Sequence, residues 1–226
     1  MLKTVAFPAL VLVGALTAGV PGSGPDSTTE APSPDTTPNT PEAPSEALAW
    51  NVDASHTEIG FTVKHFFTPV NGTFRSHDIE LLFDPEDPSL SSVTVTIDVA
   101  SVDTGNERRD RHLRSADFFD AESHPRMTFE STSVRRESAD RFVAVGDLTI
   151  KGITREVELP ITLLGVKEIP EGPMREMLGG VTRVASFEAS TLLDRREFEV
   201  GVANWAQTVI VGGEVEVRIA LEANRK

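Results

Sequence analysis

The side chains best suited to acid–base chemistry in this sequence are two histidines and a neighbouring carboxylate. His65 falls in a β-like segment, and His112 falls in a helical segment beside Asp110. A histidine paired with a carboxylate could act as a general base. The sequence contains no G-x-S-x-G motif, no H-E-x-x-H motif and no cysteine, and His56 and His65 stand nine residues apart. We therefore expect no enzyme, no catalytic residue, no metal ligand and no cofactor.

The same kinds of side chain could instead hold the polar end of a ligand. Mostly apolar binding sites use a few polar groups to orient what they bind. We predict four such positions, on inward-facing strand positions or on the helix: His65, Arg109, His112 and Arg183. For His65 the alternative is a histidine buried in the core with its hydrogen bonds satisfied. For the helix the alternative is a solvated charged surface whose following phenylalanines fill the core.

The elements that must position these residues are mainly strands. From Trp50 to Ala223, apolar and polar residues alternate in about eight segments, the pattern of half-buried strands. This predicts an all-β fold in which an antiparallel sheet closes into an eight-stranded barrel. Asn71-Gly72 is predicted to be a hairpin turn, because this pair favours the left-handed conformations of such turns. The expected interior positions are Ile59, Phe61, Val63, Phe74, Phe83, Val95, Ile97, Phe129, Leu148, Leu159, Val217 and Ile219.

One charged helix interrupts the strands, ending near Ser115, and we expect it to cover the barrel. Thr104 or Asn106 can cap its N-terminus. Phe118 and Phe119 follow it as a bulky apolar pair. Two oppositely charged pairs have the i, i+4 spacing that stabilises a helix: Glu107–Arg111 and Asp110–Arg114.

The first 47 residues differ in composition from the rest. Lys3 and the apolar run from Val5 to Ala18 predict a signal peptide over residues 1–20, with a retained N-terminal anchor as the alternative. Residues 21–47 contain seven prolines and almost no large apolar side chain, so we predict a disordered linker. We predict that residues 48–226 form the folded domain. Export without cysteines indicates a periplasmic or secreted protein of a bacterial envelope.

The charge of the chain narrows the choice of partners. The net charge is −14, and residues 48–226 contain 30 acidic and 20 basic side chains. Nucleic-acid binding depends on clustered lysine and arginine, so we expect no nucleic-acid partner. An anionic membrane surface would also repel such a domain.

Six segments resemble the YceI-like family of bacterial envelope proteins in order and spacing. They are residues 53–65 (DASHTEIGFTVKH), 70–74 (VNGTF), 106–120 (NERRDRHLRSADFFD), 146–159 (GDLTIKGITREVEL), 193–200 (LDRREFEV) and 212–217 (GGEVEV). The resemblance covers nearly everything from Trp50 to Ala223. It implies an extended lipocalin-like barrel that binds a polyisoprenoid or a fatty-acid-like lipid in its interior. One departure lies at residues 197–199, which read Glu-Phe-Glu where the family pattern usually reads Asp-Phe-Gly.

The resemblance also suggests which residues touch the lipid chain. The expected contacts are aromatic side chains from the inward strand positions and the helical segment: Phe61, Phe118, Phe119 and Phe129. The leading hypothesis is a carrier for transport, storage or sequestration of a lipid in the envelope. An enzyme acting on a lipid-like substrate and a filled barrel with a stress or structural role are the alternatives. Whether the protein forms a dimer stays open.

Overall fold

The computed structural model describes residues 49–226, so the predicted signal peptide (1–20) and linker (21–47) lie outside the described residues. No helix within 49–226 is long and apolar enough to cross a membrane. The helices and strands of this part of the chain are β1 (Ala49–Val52), β2 (Glu58–His65), β3 (Thr68–Phe74), β4 (His77–Leu82), β5 (Ser92–Asp98), β6 (Val102–Asp103), α1 (Glu107–Arg114), β7 (Arg126–Arg136), β8 (Arg141–Ile150), β9 (Ile153–Glu168), α2 (Pro173–Met177), β10 (Arg183–Asp194) and β11 (Val211–Arg225).

These segments form the closed antiparallel barrel of eight strands that the sequence predicts. Three pairs of successive segments each continue one barrel strand: β1 with β2, β3 with β4, and β5 with β6. β1 and β2, for example, both pair with β11, at its C-terminal and N-terminal halves respectively. The ring closes because β1 also pairs with β4. Closure leaves the barrel without a free edge along these strands and encloses an interior.

The two ends of the barrel differ. At one end, which we call the helix end, lie α1, the β2–β3 turn, the β8–β9 turn and the connection from β10 to β11. At the other, which we call the far end, lie the β4–β5, β7–β8 and β9–β10 connections, the last of which contains α2. This division determines which predicted site residues can meet.

The first hairpin turns at Phe66-Phe67 and not at Asn71-Gly72, so that prediction is wrong. Asn71 and Gly72 lie inside β3, where Gly72 is paired with Phe61 of β2. A Cβ atom on residue 72 would lie 2.4 Å from the Phe61 ring. Glycine is needed here because an aromatic ring packs directly on the strand backbone, which is one of the ordinary uses of glycine within a strand.

The interior positions are confirmed by the register of the ladders. Val95 on β5 pairs with Phe129 on β7, and each side chain is 7% exposed. Because cross-strand partners point to the same face of a sheet, the whole alternating set lines the interior. Full burial of a side chain of this size stabilises a fold by about 1.5–3 kcal/mol relative to exposure.

Helix α1 begins and ends close to its predicted limits. The Asn106 side-chain oxygen accepts a hydrogen bond from the Arg109 backbone N–H at 3.1 Å, which identifies Asn106 as the N-cap. Arg111 and Glu107 form the predicted pair, with 2.8 Å between Nη1 and Oε1. Both side chains are exposed, so the pair contributes about 0.5 kcal/mol or less.

The second predicted ion pair of α1 does not form. Asp110 is 5% exposed, and its carboxylate accepts hydrogen bonds from the backbone N–H and the hydroxyl of Thr104 at 3.0 and 2.5 Å. Arg114 instead donates to the Val102 carbonyl at 3.1 Å. Asp110 therefore anchors the start of the helix to the end of β6, since a buried carboxylate needs hydrogen-bond donors.

The helix end is closed by a small apolar cluster. Phe118, which follows α1, and Phe198 and Val200, which follow β10, are all buried and pack together. The Val202 N–H donates to the Asp117 carbonyl at 2.9 Å and links the two segments. The predicted role of this helical region as a cover of the barrel is confirmed.

One residue of this cover has an unfavourable backbone conformation. Glu199 follows a 3-10 turn over Arg195–Phe198 and has φ 52° and ψ 32°, the left-handed region. Position 199 is where the family pattern has glycine, and glycine alone adopts this region without steric cost. We expect Glu199→Gly to raise the free energy of unfolding by about 0.5–1 kcal/mol, measured by chemical denaturation.

Glu197 provides the matched control for this substitution. It is exposed, as Glu199 is, but it lies within the 3-10 turn and is not among the residues with positive φ. Glu197→Gly should therefore lower stability, because the added freedom of the unfolded chain is not offset by relieved strain. A loss of stability in both variants would show that the conformation of Glu199 is not strained.

Candidate ligand-binding cavity

An apolar cavity of ≈ 180 Å³ occupies the barrel interior toward the helix end. Its wall comes from β2, β3, β5, β7, β8, β9, β10 and β11, and it is covered by Leu113 of α1 and by Phe118 and Phe119. Almost all of the lining side chains are aliphatic or aromatic. An engineered cavity of roughly 150 Å³ with such a lining stays dry and binds benzene. The arrangement suits an apolar group and offers little to a water molecule.

A second cavity of ≈ 70 Å³ adjoins the first. Both are lined by Val95, Leu159 and Ile219, which places the two next to each other inside the barrel. The second cavity reaches the far-end aromatic cluster, where the Phe83 ring meets Phe142 at 5.3 Å and Phe187 at 5.0 Å between centroids. Tightly packed edge-to-face rings therefore limit the apolar space in that direction.

The four predicted aromatic contacts all lie on the wall of the first cavity: Phe61, Phe118, Phe119 and Phe129. Phe74 connects two of them, with ring centroids 5.5 Å from Phe61 and 5.8 Å from Phe119. Strand β2 and the segment after α1 thus meet through one aromatic cluster. Contact of these rings with a ligand stays a prediction.

The structure does not bring the four predicted polar residues together. His65 pairs with Val211, which lines the cavity, but it is the last residue of β2 and is exposed beside Phe66, at 4.9 Å between ring centroids. Arg183 begins β10 at the far end and pairs with Glu168 at 2.8 Å, where both side chains are exposed. His65 was expected to point into the barrel interior, and that expectation is wrong. Alternation places His65 on the inward face of the sheet, but it does not tell whether the residue lies within the enclosed length of the barrel.

Arg109 is engaged in holding the helix. Its Nε donates to the Thr104 hydroxyl at 2.6 Å and its Nη2 donates to the Thr104 carbonyl at 2.8 Å. The side chain is absent from the cavity wall. The observed contacts give Arg109 a structural role at the N-terminus of α1, and a role in ligand binding stays a prediction.

His112 lies behind the cavity wall. Its Nε2 is 3.2 Å from the Asp117 carboxylate, and its ring packs edge-on against Phe118 at 4.9 Å and Trp205 at 5.0 Å. Phe118 lines the cavity, so His112 supports a lining residue from outside. A direct contact of His112 with a ligand stays a prediction.

Arg195, which the sequence reasoning missed, is the charged residue on the cavity wall. It is 5% exposed and lines the first cavity. Its guanidinium donates to six backbone carbonyls: Val200 (2.7 Å), Trp205 (2.7 Å), Gly212 (2.8 Å), Val211 (2.9 Å) and, at longer range, Gly201 and Gln207 (3.4 Å each). These bonds hold the connection between β10 and β11 against the barrel.

The Arg195 guanidinium forms no ion pair within the described part of the chain. Among residues 49–226, no carboxylate oxygen lies within 4.0 Å of its guanidinium. Burial lowers the pKa of Arg195, although an arginine stays protonated at physiological pH. Gly201 makes room for it, since a Cβ there would lie 2.4 Å from Nη1. Thr191 and Leu193 face the cavity, and the same alternation places residue 195 on the inward face. This pattern in the sequence could have predicted Arg195 as a lining residue.

The YceI-like domain model matches residues 50–223. The chain belongs to the YceI-like family. A UPF0312 protein of Photorhabdus laumondii is 38% identical over 159 residues, which cover 68% of this chain and 78% of the relative.

Solved structures share the fold of this YceI-like chain. BcnA of Burkholderia cenocepacia superposes with a TM-score of 0.66 at 28% identity, covering 76% of this chain and 99% of BcnA. A polyisoprenoid-binding domain from Saccharophagus degradans, implicated in plant cell wall breakdown, superposes with a TM-score of 0.56, covering 79% and 99% of the two chains. At 11% identity, the latter likeness shows the fold alone.

Away from the cavity, this YceI-like barrel has a polar cluster of Asp53, His56 and Glu222. His56 Nδ1 lies 3.0 Å from the Asp53 carboxylate and 3.9 Å from the Glu222 carboxylate. Asp53 also caps the short 3-10 turn Ala54–His56 by accepting the Ser55 N–H. Ligand atoms of all three residues lie close enough to contact one cation, but capping and ion pairing already account for their positions.

The two carboxylates of this cluster raise the pKa of His56. The hydrogen bond and charge of Asp53, followed by the charge of Glu222, raise the pKa of His56 above its ordinary value of about 6.5. We expect an NMR titration to show this, with Asp53→Asn returning the pKa most of the way and Glu222→Gln less. An unchanged His56 pKa in Asp53→Asn would contradict the assignment.

The direction of the effect on stability follows from the raised pKa. Protonated His56 is favoured in the folded state, so its contribution is fully present below the unfolded-state pKa. That contribution is lost as the pH rises through the higher folded-state value. The pair is exposed, so we expect the change to be small.

Proposed function

We propose that this protein binds the apolar chain of an isoprenoid or another long-chain amphiphile inside its barrel. The observation that carries the proposal is the cavity of ≈ 180 Å³, whose wall is apolar except for Gly60, Thr191 and Arg195. Binding sites for small apolar molecules have this composition, with few polar groups among many apolar ones. The proposal requires binding alone and assigns no chemical step to the protein.

The energetics favour a chain over a compact polar ligand. Each methylene group removed from water contributes roughly 0.8 kcal/mol before the cost of ordering the chain. The second cavity lies directly beyond Val95, Leu159 and Ile219 on the wall of the first, so displacement of these side chains would let a bound chain extend into it. Several buried isoprene or methylene units would together support binding that survives purification.

The polar end of such a molecule would lie at the helix end of the barrel. Arg195 brings a positive charge to the cavity there, and His65 and His112 lie at the same end. Since the guanidinium already donates to backbone carbonyls, it would act on a head group mainly through its charge. Arg183, at the far end, is not part of this proposal.

The fold shared with the Saccharophagus degradans polyisoprenoid-binding domain is compatible with this ligand class. In a bacterial envelope, such binding would serve transport, storage or sequestration of the amphiphile. We propose export on the basis of Lys3 and the apolar run from Val5 to Ala18. Mass analysis of protein from the native host should show a mature chain that begins beyond Ala18, and intact Met1 on cytoplasmic protein would contradict export.

The test of the binding proposal is chemical extraction. Protein purified without detergent from its native host should release an amphiphile in near-stoichiometric amount on extraction with organic solvent, detected by mass spectrometry. The extracted protein should then bind farnesol, a soluble C15 isoprenoid probe. Absence of an extracted amphiphile together with absence of farnesol binding would show that the interior serves packing alone.

A further inference from the structure

The turn between β2 and β3 exposes two aromatic rings. Phe67 is 94% exposed and Phe66 is 54% exposed. Phe66 also has φ 51°, a left-handed conformation that bulky side chains disfavour. Two-residue hairpin turns normally contain Asn-Gly, Asp-Gly or similar pairs. The chain therefore places phenylalanine where both solvation and backbone preference oppose it, which points to a function for the exposed rings.

A second exposed apolar segment lies beside this turn. Val209 is 72% exposed and Ile210 is 39% exposed, immediately before β11. The Phe66 N–H donates to the Ile210 carbonyl at 2.7 Å, so the turn and the segment are joined. We call these four residues the apolar tip: Phe66, Phe67, Val209 and Ile210.

The two segments that carry the apolar tip contain no charged side chain, and Lys64 and Arg196 lie beside them. No Asp, Glu, Lys or Arg occurs in residues 65–74 or in residues 200–213, although residues 48–226 carry a net charge of −10. Lys64 is the charged residue next to the turn. A surface of this kind avoids the cost of desolvating charges when it enters an apolar medium.

The apolar tip also continues into the cavity wall. Val211, the neighbour of Ile210, lines the first cavity, as does Val63 three residues before Phe66. Arg195 holds this end of β11 through the carbonyls of Val211 and Gly212. The cavity wall therefore begins at the residue after Ile210, and His65, the cross-strand partner of Val211, separates it from the Phe66 ring.

We propose that the apolar tip inserts into the interface of a lipid bilayer and docks the helix end of the barrel on the membrane. Its use in passing a lipid between bilayer and cavity rests on the proposed function. The four side chains of the apolar tip are far fewer than the roughly 20–30 residues that each partner contributes to a stable protein interface. Aromatic rings on an uncharged protrusion suit the bilayer interface better than a second copy of the chain.

The experiment is flotation with neutral phosphatidylcholine vesicles, which avoids repulsion between anionic lipid and the acidic domain. The test variant is Phe66→Asn/Phe67→Ser, since asparagine tolerates the left-handed conformation and preserves the turn. The matched control is Met174→Ser/Met177→Ser, which removes side chains that are 55% and 73% exposed at the far end. All three proteins keep the same N-terminal residues, so the comparison isolates the apolar tip.

We expect the tip variant to partition onto vesicles at least about tenfold less than the parent protein, while the control partitions as the parent does. Farnesol binding without vesicles should be equal in all three, which separates docking from binding in the cavity. Docking with no farnesol binding would support the apolar tip as the membrane contact and contradict the proposed function.

Three results would overturn the docking proposal. The tip variant could float as well as the parent, or the control could lose as much flotation as the tip variant. The parent could also fail to float and instead form a concentration-dependent dimer that the tip variant abolishes, which would assign the apolar tip to self-association. Circular dichroism and thermal unfolding of each variant establish that the fold is intact.

Discussion

Replacing Arg195 by methionine is expected to lower the free energy of unfolding by about 3 kcal/mol or more. Methionine retains much of the apolar volume, but the six carbonyls to which the guanidinium donates lose that donor, and two of them belong to the buried residues Val200 and Gly201. Leaving a buried acceptor without a partner costs about 1–3 kcal/mol each, reduced where water can enter. Urea denaturation followed by tryptophan fluorescence measures the change, since Trp205 lies at this site.

Arg196 is the natural control because it is adjacent and chemically identical. Its side chain is 54% exposed and forms an ion pair with Asp194, with 2.8 Å between Nε and Oδ1. Arg196→Met should change stability by about 1 kcal/mol or less, as is usual for an exposed pair. Arg195→Lys should fall between the two, since lysine keeps the charge but not the planar set of donors. Equal losses at both arginines would refute the structural role assigned to Arg195.

Replacing Ile97 by tryptophan is expected to weaken farnesol binding by at least about tenfold, a change of 1.4 kcal/mol or more. Ile97 lines the first cavity from β5, opposite Met127 on β7. An indole group at this position would occupy space that a ligand chain requires. The measurement is a farnesol titration of extracted protein, together with the amount of amphiphile released from each variant on purification.

The control for this variant is Thr96→Trp, which adds the same ring at the next residue on the opposite face of β5. Thr96 pairs with Asp78 and Thr128 and is not part of either cavity wall. Farnesol affinity should stay within about twofold of the parent, and both variants should keep a β-rich circular dichroism spectrum. If Ile97→Trp is folded and binds farnesol as the parent does, the ligand does not enter the first cavity.

The features that the sequence predicts correctly are those decided within a few residues. The alternation of β5 and β7 places Val95 and Phe129 inside because successive strand side chains point to opposite faces. The cap at Asn106 and the pair Glu107–Arg111 form because their geometry belongs to one helix. The six family motifs, taken together, predict the barrel as a whole.

The predictions that needed correction depend on which segments become neighbours. Asn71-Gly72 has the composition of a turn, yet the Phe61 ring on the adjacent strand holds it within β3. Asp110 has the spacing for a pair with Arg114, yet its buried carboxylate is satisfied by the N–H and hydroxyl of Thr104, and Arg114 donates to the Val102 carbonyl. In both cases a contact with a neighbouring element outweighs a local preference of about 1 kcal/mol or less.

The sequence by itself determined the alternation, the helix, the family and the apolar character of the interior. Only the tertiary structure decided where along the barrel each inward position falls. His65 and Arg183 share the inward face of their strands but lie at opposite ends, whereas Arg195 lies on the cavity wall. The physical reason is that alternation arises from local backbone geometry, while the enclosed length of a barrel is set by the register of ladders between segments distant in the chain.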